Sequence, residues 1–306
     1  MTSNGSPSFP LSVTCSPLTG RSYHASERLP AGTCVLDVPT PYACTLYRQF
    51  RNEVCAECWK YDGGRRGFLT CRQFGEEAGL SFCDEHCKDA WLNREGHELI
   101  ELLKTLETAR SRKARREGKA KADEVPVALN KEDIERAWEK VDEQQASPKT
   151  LRRWREVQLD DFEADMARYV LVALYHYVQE ETDQDREEHA AAVLSTFGAQ
   201  WAHFADLQSN ETHQVMKFPE LLENHIRIYQ VLRSRFSGSE EASSALRALL
   251  QVTTTANVRL ALGVDPGNSF GIWEVPVMEE SEGLGFGIYP IPSFFNHREF
   301  RQSNVL

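Results

Sequence analysis

The chain has 306 residues and a net charge of −11, with 35 Lys and Arg against 46 Asp and Glu. Its 41% hydrophobic and 26% charged residues are those of an ordinary soluble protein, long enough for two or three compact units. No apolar run approaches the ~18 residues of a membrane-spanning helix, which excludes a membrane protein of that kind. The opening MTSNGSPSFP has neither basic nor apolar signal regions, and an acidic surface argues against direct nucleic-acid binding.

Taken in chain order, residues 1–17 are polar and rich in Ser and Pro, the text of a frayed, disordered N-terminus. From Arg21 to Tyr47 short β-type runs follow, Thr33–Val38 the clearest, punctuated by Gly and Pro. A Cys-rich stretch occupies about 54–97 and closes in a short helix near Asp84–Glu95. Residues 98–250 read as helical. Between Asp160 and Glu181, Phe162, Met166, Tyr169, Val170, Ala173, Leu174, Tyr177 and Val178 recur at offsets of three and four, a buried stripe. Arg186–Gln208 and Phe218–Phe236 repeat the pattern, with Pro219 at a helix start. From Val264 the text returns to Gly, Pro and β-branched residues. The expectation is an α+β chain in which one β unit is split by two inserts. Within Arg110–Lys121, seven of twelve residues are basic, which reads as a solvated helix extension or, more sharply, a nuclear-import signal or nucleic-acid contact.

All eight cysteines lie in the first 87 residues. Without a signal sequence the compartment is expected to be reducing, so close pairs read as metal ligands before disulfides. Cys55-Ala-Glu-Cys58 and Cys83-Asp-Glu-His-Cys87 supply two such pairs, with 24 residues between Cys58 and Cys83. A two-residue gap lets a turn aim both sulfurs at one point, and a three-residue gap places thiols at i and i+4 on one helix face. Four thiolates suit a closed, structural zinc site that supplies folding energy and no open coordination position.

These details resemble a MYND zinc finger, which pairs an opening C-x2-C with a later [YF]-C-x3-C on a helix and a following Trp. Here those parts are Cys55 and Cys58, Phe82-Cys83 with Cys87, and Trp91. That family binds two zincs. In this chain Cys71 has no partner two residues on and no cysteine follows His97, so the expectation is one zinc, on Cys55, Cys58, Cys83 and Cys87.

A MYND-like finger within a β unit resembles the SET-and-MYND lysine methyltransferases, fungal-type members in particular. Gly20-Arg-Ser-Tyr-His-Ala25 with Leu29–Thr33 is similar to the opening strand pair of a SET domain, and Asn268-Ser-Phe270 to the segment before its core. Gly285-Phe-Gly-Ile-Tyr-Pro290 with Ser293-Phe-Phe-Asn-His297 is the most specific match. The resemblance implies a SET-type β fold of small sheets, with 1–17 disordered, an N-terminal SET part at 18–53, the finger at 54–97, a helical insert at 98–263 and a C-terminal SET part at 264–306.

It further implies S-adenosylmethionine as cofactor, held by Arg21, Tyr23, Asn268, Ser293, Asn296 and His297, and a protein lysine substrate, histone or otherwise. Arg21 is expected to meet the cofactor's carboxylate. A peptide ligand of the finger, a monomeric state and a nuclear or cytoplasmic location go with it. The chain departs from the pattern in two places. Ser22 replaces the second Gly of the opening G-x-G, and Arg298–Leu306 follows Asn296-His297 where the family continues to its catalytic tyrosine. The catalytic residue is therefore unassigned, and the expectation is weak activity and an unpaired sheet edge in the chain as written. The alternative is a catalytically inactive interaction module in which finger and helical insert bind partner peptides.

Overall fold

The computed structural model describes residues 10–17, 20–68, 76–111, 128–145, 147–181, 197–237 and 244–295. Asn296, His297, Cys71 and all but Arg110 and Ser111 of the basic run lie outside them.

The described residues combine helices with two small antiparallel sheets, an α+β arrangement. Strands β1 (Leu11–Ser16) and β2 (Gly20–Ala25) form a hairpin, Leu11 opposite Ala25 and Ser16 opposite Gly20. A three-stranded sheet has the order β3 (Ala43–Leu46), β5 (Gly283–Ile288), β4 (Ser269–Trp273). Its central strand is therefore the one carrying the GFGIYP motif. Ala43 pairs with Ile288 on one side and Ser269 with Ile288 on the other, so strands more than 220 residues apart share a register.

The helices are α1 (Glu85–Glu107), α2 (Lys131–Gln145), α3 (Pro148–Trp154), α4 (Asp161–Glu181), α5 (Trp201–Ala205), α6 (Glu211–Lys217), α7 (Glu220–Arg235), α8 (Ser244–Val252) and α9 (Thr255–Asn268). α4 is the axis, packing against α1, α7, α8, α9 and β3. From Ala164 to Tyr175 nearly every residue is buried, charged ones included. α1 breaks at Gly96, whose φ of 77° no helix adopts, so it is two helical segments joined at one glycine.

Buried charges tie the layers together. Arg51, 1% exposed, donates Nε to the Leu46 carbonyl at 2.9 Å and pairs with Glu107 on α1 and Asp165 on α4. Arg168 donates to the Ala78 carbonyl at 2.5 Å and lies 3.6 Å from Glu107. Burial, with Arg51 nearby, lowers the Arg168 guanidinium to about 9.

Five expectations change. Leu11–Ser16, inside the segment read as frayed, is a strand; its ladder partner is β2, and the alternation of Leu11, Val13 and Cys15 was the available signal. Leu29–Thr33 is not the partner of β2, and Thr33–Val38 joins no ladder, because propensity without a neighbouring strand makes no sheet. Val264–Asn268 continues α9 through Pro266 before β4 begins. Phe162, placed in the buried stripe, is 53% exposed in the first turn of α4, ahead of the point where other elements cover it.

Candidate functional site

Two sites are built by these elements, a thiol cluster and a polar corner. For the first, Val54 and Tyr61 form an antiparallel bridge, making residues 54–61 a small hairpin. Within it Trp59 donates to the Cys55 carbonyl at 3.0 Å and Cys55 to the Lys60 carbonyl at 3.0 Å. The turn passes through Trp59 at φ 56°, a left-handed conformation that returns Lys60 to Cys55.

The second pair arrives on the start of α1. Asp84 caps it by accepting the Cys87 N–H at 2.8 Å, which sets Cys83 just before the first turn and Cys87 within it. All four sulfurs lie within 4.8 Å of one another, with Cys58–Cys83 at 3.7 Å and Cys83–Cys87 at 3.5 Å. A Zn–S bond near 2.3 Å in a tetrahedron requires sulfurs about 3.8 Å apart, so the cluster fits one zinc ion.

The electrostatics agree. Burial and the neighbouring sulfurs push the Cys83 and Cys87 thiols up, whereas backbone and thiol hydrogen bonds, acting against burial, hold Cys58 low. Four crowded thiols cannot all ionise unless a cation balances them. The helix N-terminus beneath Cys87 adds a favourable field for thiolate. His97 is exposed just past the kink and does not join the cluster.

The hairpin at 54–61 is held on the sheet by an apolar patch. Leu46, Phe50, Val54, Ile272 and Leu284 pack together, with Trp59 and Tyr61 against them.

The second site is the corner where β2, the end of α9 and the turn Pro292–Phe294 meet. Arg21 and Tyr23 project from β2. The Arg21 guanidinium lies 5.0 Å from the Phe294 ring centroid, and Tyr23 packs on Phe294 and Phe295 at 5.7 and 5.0 Å. Ser293 donates Oγ to the Tyr289 carbonyl at 2.9 Å and lies 3.3 Å from the Asn268 carbonyl. Asn268 uses Nδ2 for the Val264 carbonyl at 2.8 Å and the Gln208 carbonyl at 3.1 Å, and its Oδ1 accepts no hydrogen bond among the described residues.

Arg21, Tyr23, Asn268 and Ser293, spread over 270 residues of sequence, thus share one corner. The Arg21 guanidinium is paired with the carboxylate and carbonyl of Asp206, in an exposed contact. Asp206, Gln208 and Phe295 were missed. The adjacent aromatics of the SFFNH run could have suggested Phe295; nothing in the sequence marks the other two.

The motif glycines have a packing reason. A Cβ on Gly285 would lie 2.2 Å from the Thr45 carbonyl oxygen, and one on Gly287 2.9 Å from Pro41 Cβ. Only glycine lets β5 approach β3 so closely.

No protein-family model matches the chain. The chain is 25% identical over 309 aligned positions to a protein of Saccharomyces cerevisiae described as "Potential protein lysine methyltransferase SET6", covering 91% of this chain and 76% of that protein. None of the described helices is long and apolar enough to cross a membrane.

Proposed function

We propose that the chain is a SET-type, S-adenosylmethionine-dependent protein-lysine N-methyltransferase with one structural zinc in a MYND-like finger. The observation that carries this reading is the similarity to the yeast protein along nine-tenths of the chain. The gathering of Arg21, Tyr23, Asn268 and Ser293 into one corner supports it, since those are the positions that the motif resemblance implies for the cofactor.

Methyl transfer to an amine is an in-line displacement, for which the protein supplies position, exclusion of water and a neutral lysine. The cofactor brings the electrophilic methyl. In this corner the Tyr23, Phe294 and Phe295 rings offer an apolar, polarisable surface suited to a sulfonium or an adenine. Asn268 Oδ1 offers an acceptor. Arg21 can serve a carboxylate by exchanging Asp206 for it. The present pair is exposed, 38% at Arg21 and 61% at Asp206, so breaking it costs about 1 kcal/mol or less.

The zinc belongs to structure, because four thiolates leave no open position for chemistry. The substrate is read as a protein lysine, histone or otherwise, in the nucleus or cytoplasm.

Titration calorimetry of the zinc-loaded chain with S-adenosylmethionine tests this. Saturable micromolar binding, weakened at least tenfold by Tyr23→Ala or Asn268→Ala, is expected. Absence of binding at millimolar cofactor would overturn it in favour of a finger-based interaction module.

A further inference from the structure

Among the described residues, one cavity lies away from the polar corner. About 410 Å³ in volume, it sits where β3, the knuckle, α1 and α4 meet, and Arg21, Tyr23, Asn268 and Ser293 contribute nothing to its lining. Much of its wall is apolar, with Leu46, Trp59, Leu80, Trp91, Leu99 and Val172 facing it. Its volume falls in the range of small-ligand sites, and charged side chains share its wall with the apolar ones.

The charged groups in the wall decide what such a ligand can be. Arg94 stands between two carboxylates, with Nη1 2.8 Å from Glu57 Oε1 and Nε 2.9 Å from Glu95 Oε1. Glu95 Oε2 also takes His176 Nε2 at 2.7 Å, and His176 Nδ1 lies 2.6 Å from the Tyr42 carbonyl. Arg168 is engaged by the Ala78 carbonyl and by Glu107. Every cation and anion there already has its counterpart. An added ion would be left uncompensated in a buried site, or would have to break one of these pairs, at several kcal/mol.

Glu57 Oε2, 2.7 Å from Arg94 Nη1, is buried beside that guanidinium and stays out of a ligand's reach, which leaves one wall group open to a neutral partner. Cys44, on β3, has a thiol that burial chiefly pushes up to about 12, so it meets the void as a neutral, soft surface.

We infer that this cavity, between the zinc-binding knuckle and the sheet, is a binding site for a small, neutral, aromatic or otherwise apolar molecule. This site is independent of the methyltransferase reading, which can fail while the cavity site stands, and the reverse.

The test uses three probes with one ring system and different charge: indole, indole-3-acetate and tryptamine, titrated into the full zinc-loaded chain by calorimetry. Indole is expected to bind saturably at one per chain, and the anion and cation at least tenfold more weakly. A crystal soaked in 5-bromoindole is expected to show the bromine in the cavity by anomalous scattering. Thr40 is half-buried at the rim, before β3, so Thr40→Trp is expected to abolish indole binding with the melting temperature kept. Should that variant fail to fold, the bromine position decides. The inference is overturned if indole shows no saturable binding, if either ion binds as tightly as indole, or if the bromine lies elsewhere.

Discussion

Replacing Arg51 by methionine removes the charge that joins three elements while keeping most of the side-chain volume. Arg51 is 1% exposed and its two partners, Glu107 and Asp165, are 15% and 9% exposed, so neither carboxylate can turn to water when it is lost. The Leu46 carbonyl also loses its 2.9 Å donor. Breaking a buried pair by removing one partner costs about 3–5 kcal/mol, mostly because a charge is left uncompensated. Asp165 retains the Arg48 N–H at 3.0 Å, which keeps the expected loss toward the lower end.

The pH dependence sharpens this. Burial raises Asp165 and Arg51 opposes that rise, so in Arg51→Met the carboxyl is pushed up further and takes a proton sooner. The loss is therefore expected to grow as pH rises from the acid side. Urea denaturation followed by circular dichroism, with zinc present, measures it. Arg66→Met is the control, because that pair with Glu53 is 63% exposed on the arginine side and is expected to be worth about 1 kcal/mol or less. A loss at Arg51 no greater than at Arg66 would refute the account of a charge-tied core.

Three further outcomes follow. Metal analysis is expected to give one zinc per chain, reduced by Cys83→Ser or Cys87→Ser, and cobalt substitution to give the absorption of a tetrahedral thiolate site; two metals per chain, or none, would contradict the four-cysteine cluster. Asp265 is raised to about 6, chiefly by burial, with Ser269 and His225 opposing. Its native state therefore binds a proton more tightly than the unfolded chain, so its contribution is full below pH 4 and is lost as pH rises through 6. Asp265→Asn is expected to be up to about 3 kcal/mol more stable than the native chain at pH 8 and level with it at pH 4, and a difference independent of pH would count against this. Gly285→Ala puts a Cβ 2.2 Å from a backbone oxygen, so it is expected to cost several kcal/mol or abolish folding, while Gly63→Ala, in open space, costs only its positive φ; equal melting temperatures would refute the close approach of β5 to β3.

The sequence was most legible where spacing carries geometry. The two-residue gap implied a turn, which the knuckle supplies; the three-residue gap implied two thiols on one helix face, but Cys83 precedes the Asp84 cap and only Cys87 lies on α1. α4 was legible as a helix because eight apolar residues recur with its period. Its Glu163, Asp165, Arg168 and His176 were not legible as buried, since each is buried only with a partner from another element. The strand at Thr33–Val38 failed for the same reason, being a local preference with no neighbour to pair with. The corner was readable at Arg21, Tyr23, Asn268 and Ser293 through motif resemblance alone. Asp206, which neutralises Arg21, sits 185 residues away in an unremarkable stretch, and no local pattern announces an ion pair of that kind.

The central claim is methyl transfer to lysine, and the direct measurement is incubation of the zinc-loaded chain with isotope-labelled S-adenosylmethionine and a mixture of histones and other basic proteins, followed by mass spectrometry of the products. Labelled methyl groups on lysine side-chain nitrogens, dependent on Tyr23 and Asn268, are expected. Label on arginine or on carboxylates, or no label together with no cofactor binding, would contradict it.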